Sequence, residues 1–151
     1  MVVNSKSDID AKAAFIEELL GRGFDEALVT GSPADIKARR GGDVFYFEIK
    51  YTAQESSYFG AATLTEWEAA LANEERYCFV VATKRNGAWT FHEYTPSEFM
   101  EFSYIPPFKI FFNVAVGQEK AINARRGTKR VQLTRDRVMQ MLELYNRFRS
   151  K

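Results

Sequence analysis

The fold turns on Asp43-Val44-Phe45-Tyr46-Phe47-Glu48-Ile49-Lys50-Tyr51-Thr52. Phe45, Phe47, Ile49 and Tyr51 alternate with Val44, Tyr46, Glu48 and Lys50. That period of two belongs to a strand, and it sets Glu48 and Lys50 side by side on one face. Gly41-Gly42 just before it is a tight-hairpin signal that pairs it with a second strand over 35–40. A hairpin lays 35–40 along 43–52, so Asp35 comes near position 48 or 50.

Working outward, residues 8–21 read as a helix, with Ile9, Ile16, Leu19 and Leu20 on one side and Phe15 at its edge. Gly21 and Gly23 end it. Residues 25–30 read as a short strand, broken by Gly31-Ser32-Pro33. After a loop over 53–62, residues 64–73 read as a helix. Thr63 and Glu66 stand at capping-box spacing, which explains both by structure alone. Tyr77-Cys78-Phe79-Val80-Val81-Ala82 is an apolar run of strand length, as a strand covered on both faces requires. Strand, helix, buried strand implies a right-handed crossover with parallel pairing. Asn86-Gly87 then predicts an antiparallel return over 88–95. Beyond Pro96 a short helix over 97–102, a strand over 108–116 and a basic loop over 118–130 are expected. Thr134 caps a last helix whose stripe of Val138, Met141, Leu142, Tyr145 and Phe148 suits packing on the body of the domain. The fold class is α/β with a mixed sheet: helix, three strands, helix, strand, then a C-terminal strand and helix. The expected organisation is one domain over 1–151, with a core over about 8–95 and a basic extension over about 96–151.

Composition excludes several classes. Thirteen Phe, 7 Tyr and 2 Trp in 151 residues rule out disorder as the main state. No apolar stretch nears the roughly 20 residues of a membrane-spanning helix, so no membrane partner is expected. The N-terminus lacks the apolar core of a secretory signal, and a cytoplasmic location is the default. One Cys and one His exclude an internal disulfide, a Cys/His zinc cage and a two-His ribonuclease mechanism. The net charge of +1 is unevenly spread: residues 1–117 carry 11 Lys/Arg against 17 Asp/Glu, while 118–151 carry 10 against 3. A basic end on an acidic body suits nucleic acid. Arg125, Arg126, Lys129 and Arg130 around Gly127 suit phosphate backbone contacts.

Chemistry gathers at Asp35, Glu48 and Lys50. Two carboxylates near each other suit Mg²⁺, which takes one or two of them beside water and phosphate oxygens. Lys50 beside such a metal would orient water or offset charge on a phosphate. The bland reading of Glu48 and Lys50 is an exposed ion pair. Gln54 is close enough in sequence to touch a phosphate, and Ser32 could bind one at the strand break. Trp67 and Cys78 read as core, and His92 as a plain polar residue.

These residues resemble the PD-(D/E)XK, or restriction-endonuclease-like, nuclease superfamily. Its acid after a Pro is similar to Asp35, although Ala34 intervenes after Pro33, and its (D/E)-x-K is similar to Glu48-Ile49-Lys50. Within it, Thr63-Leu64-Thr65-Glu66-Trp67 and the strand led by Tyr77 resemble the nuclease-like domains related to the C-terminal part of the plant NO VEIN protein. The resemblance covers about 10–84 and implies a metal-dependent DNA endonuclease using Mg²⁺, with Mn²⁺ as a substitute. A metal-activated water would attack in line, leaving 5′-phosphate and 3′-hydroxyl ends. DNA would be held through its phosphate backbone, and a homodimer fits double-strand cutting. Many members add an acid on the first helix. Here Glu18 is the leading candidate for catalysis and metal binding, with Glu17, Asp10 or no third acid as alternatives. The competing expectation keeps the fold without cleavage, as a DNA- or protein-binding regulatory module.

Overall fold

The computed structural model describes residues 6–54, 58, 60–106, 109–110 and 133–150. Its residues fall into two compact units, Val2–Tyr104 and Ile105–Lys151 with Met1. In the first, helix α1 (Lys6–Gly21) precedes strands β1 (Glu26–Val29), β2 (Ile36–Arg40) and β3 (Asp43–Thr52). Helix α2 (Leu64–Ala72), a single turn over Glu74–Arg76, strands β4 (Tyr77–Arg85) and β5 (Ala88–Tyr94) and helix α3 (Pro96–Glu101) follow. In the second unit, helix α4 (Arg135–Arg149) begins at Thr134, whose hydroxyl accepts from the Arg137 amide as its spacing predicts.

The expected mixed α/β architecture is what forms. Among the described residues the five strands lie in order β1-β2-β3-β4-β5, and β3–β4 is the parallel pair. Gly41 and Gly42 at φ +58° and +88° turn the β2–β3 hairpin, and Asn86 and Gly87 at φ +49° and +82° turn β4 into β5. Such left-handed pairs match the twist of the strands they join. Of the strand expected over 108–116, residues 109 and 110 lie in no regular element. Its remaining residues, like the basic loop over 118–130, lie outside the described residues. No helix among the described residues is long and apolar enough to cross a membrane.

Each sheet face has its own core. Ala11, Phe15 and Leu19 of α1 pack on Ile36, Ala38, Phe47, Ile49, Val80 and Ala82. Ala70 of α2 meets Tyr77 and Phe79 on the other face, with Trp67 and Phe99 of α3 against them. Trp67 is core as expected, 4.9 Å from the Phe79 ring. The face of α1 agrees in part with the sequence reading: Phe15 and Leu19 are buried and Ile16 packs against the core. Ile9 and Leu20 are 56% and 47% exposed, whereas Ala11, Lys12, Phe15 and Leu19 are buried. The buried stripe is turned by about one residue step, roughly 100°, toward Ala11 and Lys12. That turn aims Lys12 at the sheet end where the site forms.

Candidate functional site

Register explains what meets at this site. Ile36 pairs with Phe47 in the β2–β3 ladder. One step beyond, Asp35 stands opposite Glu48. Opposed residues of an antiparallel pair project to the same face, and Lys50, two residues on, shares it. Asp35 and Glu48 both line a cleft of about 500 Å³, together with Ser32, Thr63, Glu66 and Glu68. Glu48 Oε1 accepts from Lys50 Nζ at 3.0 Å, and Glu66 Oε2 accepts from the same ammonium at 2.9 Å. Asp35 is held at both oxygens. The Ile49 amide donates to Oδ2 at 3.0 Å, and Lys12 Nζ lies 2.7 Å from Oδ1. Lys12 also lies 3.0 Å from Asp8 Oδ2.

Burial and charge set the protonation states. Burial pushes Glu48 up to about 7, with Asp35 and Glu66 adding to the rise and Lys50 opposing it. Glu66 is also disfavoured by burial, yet it ends below its ordinary value because Lys50 and the Thr63 amide donate to it. Lys50 is penalised by burial but raised overall by its bonds to Glu66 and Glu48. It is therefore a firm ammonium, suited to charge stabilisation rather than to proton abstraction. The Tyr77 hydroxyl is buried with no hydrogen-bond partner among the described residues. Burial and then Glu48, Glu66 and Asp35 raise its pKa, so it lies within the field of these acids.

No group of three or more His, Cys, Asp and Glu is set to hold a metal among the described residues. Two hard carboxylates on one cleft nevertheless fit Mg²⁺, which fills its other positions with water and phosphate oxygens.

The remaining expected residues lie elsewhere. Glu18 is exposed and pairs with Arg22 at 3.9 Å. It sits six residues, about 9 Å, along α1 from Lys12, so it does not join the cleft. Glu17 and Asp10 are exposed as well. Gln54 is exposed, its backbone N–H donating to Thr52 Oγ1 at 3.1 Å. His92 is exposed. Burial pushes the Cys78 thiol up to about 11. Arg125, Arg126, Lys129 and Arg130 lie outside the described residues. Sequence reasoning missed Lys12 and Asp8, and assigned Glu66 to capping alone. The i, i+4 spacing of Asp8 and Lys12 was a signal, but one shared by ordinary solvated helix pairs.

These elements define a mixed α/β domain with an acid–lysine cluster at one end of its central hairpin. The family described as Protein NO VEIN, C-terminal, matches residues 11–93, more than half of the chain, and the chain belongs to that family. The matched span contains Lys12, Asp35, Glu48, Lys50 and Glu66. No curated protein and no solved structure matches the chain.

Proposed function

We propose that the protein is a metal-dependent DNA endonuclease of the PD-(D/E)XK type, hydrolysing phosphodiester bonds. The observation that carries this reading is the pairing of Asp35 and Glu48 on one cleft with the Lys50 ammonium 3.0 Å from Glu48. A binding-only surface has no evident use for a buried Glu48 beside a partly buried Asp35 and Lys50. Asp35 and Glu48 would hold Mg²⁺, which when bound supplies a water of lowered pKa and neutralises phosphate charge. Lys50, fixed between Glu48 and Glu66, stabilises negative charge as it builds on the phosphate. The Ile49 amide and Lys12 keep Asp35 from rotating out of the cleft. Water attacks phosphorus in line and the bond to the 3′ oxygen breaks, leaving a 5′-phosphate and a 3′-hydroxyl.

Purified protein should nick or cut plasmid or branched DNA in Mg²⁺ or Mn²⁺ and fall silent in chelator. Lys50→Ala should lower the rate by about 10²–10³ with DNA affinity nearly kept. Equal cutting by Lys50→Ala would sink the assignment of this site. A second reading has one observation in its favour: Lys12 and Lys50 already neutralise Asp35 and Glu48. A regulatory or binding module on the same fold would then bind DNA or protein, take up no metal and cut nothing.

A further inference from the structure

Lys12 is a helix lysine with only 7% of its surface exposed. Its ammonium lies between two carboxylates, 2.7 Å from Asp35 Oδ1 and 3.0 Å from Asp8 Oδ2. A buried lysine persists only when paired, and this one is paired twice. With three donors and no acceptor, it bridges two acids from different elements as a small cation would. The other Asp35 oxygen is fixed by the Ile49 amide. Among the described residues, Lys12 is thus the donor on Asp35 that carries charge.

We propose that Lys12 is a built-in counter-cation for Asp35 and Asp8, which holds the metal-free site together and against which a divalent ion must bind. This rests on the metal reading of Asp35 and Glu48. Lys12 is a positioning residue: it acts through Asp35 and touches neither phosphate nor water in the reaction. Without a metal, its charge keeps Asp35 at the cleft. With a metal on Asp35, it becomes a like charge a few ångströms away and weakens the hold. Lys12 therefore sets metal affinity in one direction and metal-free stability in the other.

The test is Mn²⁺ binding by calorimetry, with thermal melts in chelator and in Mn²⁺, on the full chain. Lys12→Met should melt lower than wild type in chelator and bind Mn²⁺ about tenfold more tightly, the lower end of what one adjacent charge does to a neighbouring equilibrium. Its melt should rise more on adding Mn²⁺. Lys12→Arg keeps the charge and should keep wild-type affinity. If Lys12→Met fails to fold in chelator, Lys12→Gln reads the same change, since it removes the charge and retains a donor. Mn²⁺ binding to wild type that is equal or weaker in the neutral variants overturns the role of Lys12 and leaves the metal reading standing. No Mn²⁺ binding to any variant overturns the metal reading and the role of Lys12 with it. Binding to the neutral variants but not to wild type would support both.

Discussion

Glu48 and Glu66 share the Lys50 ammonium yet titrate in opposite directions. Glu66 sits at the start of α2, where the Thr63 amide donates to it at 2.8 Å, and it stays ionised. Glu48 lies deeper, without a backbone donor of that kind among the described residues, and burial favours its protonated form. The consequence for stability has a definite sign. Between the ordinary value of 4.5 and about 7 the unfolded chain has released this proton while the folded chain keeps it. Metal-free stability attributable to Glu48 is therefore greatest below 4.5 and declines as pH rises to about 7. Urea unfolding in chelator across that range should show the decline in wild type and a flatter profile in Glu48→Gln. An unchanged slope in the variant would assign the decline to other groups. Asp35, Glu48 and Lys50 were legible as neighbours because a spacing of two joins Glu48 to Lys50 and the Gly41-Gly42 hairpin brings Asp35 beside them. Lys12 was not, since a lysine among helix acids looks like any solvated residue until the helix is docked.

At the scale of elements, strands read well because period two and the turns at Gly41-Gly42 and Asn86-Gly87 are local signals. β3 forms over Asp43–Thr52, the span its alternation predicts. The docking face of α1 read only in part. Apolar count favoured Ile9 and Leu20, whereas the docked helix buries Ala11 and Lys12 in their place. Helix α2 joins local and tertiary logic: its capping box is complete, and the Glu66 carboxylate of that box also holds Lys50. Thr63→Ala should cost about 1 kcal/mol of unfolding free energy, the usual loss of a cap. Combined with Lys50→Met in a double-mutant cycle, it should show coupling of about 0.5 kcal/mol or more. Strict additivity would mean that cap and site are energetically separate.

For the whole molecule, the charge distribution is the leading fact. Residues 118–151 carry 10 Lys/Arg against 3 Asp/Glu, opposite in sign to the preceding 117. Backbone contacts by Arg125, Arg126, Lys129 and Arg130 would make DNA binding salt-sensitive and tolerant of sequence. Replacing all four with Ala should flatten the slope of log K against log salt by roughly 3–4, at about 0.9 per phosphate on B-DNA. All duplex sequences should weaken alike, because phosphates carry no base information. An unchanged slope with a lowered melting temperature would assign these charges to packing instead. Sequence sufficed for the charge asymmetry because it is a count. It did not suffice for the contacts those charges make, which depend on tertiary placement.

The double duty of Glu66 gives the cleft a clock. Leu64, in the first turn of α2, is 87% exposed, and Thr63 and Thr65 are exposed beside it, so that turn leans on its own cap. Helix ends fray, and segments with few buried contacts open far more often than the core. Each opening that carries Glu66 away leaves Lys50 with Glu48 as its remaining carboxylate partner and releases part of the ammonium's field into the cleft. Amide exchange at Glu66, whose N–H is held by the Thr63 hydroxyl at 3.2 Å, therefore times how often that charge is let loose.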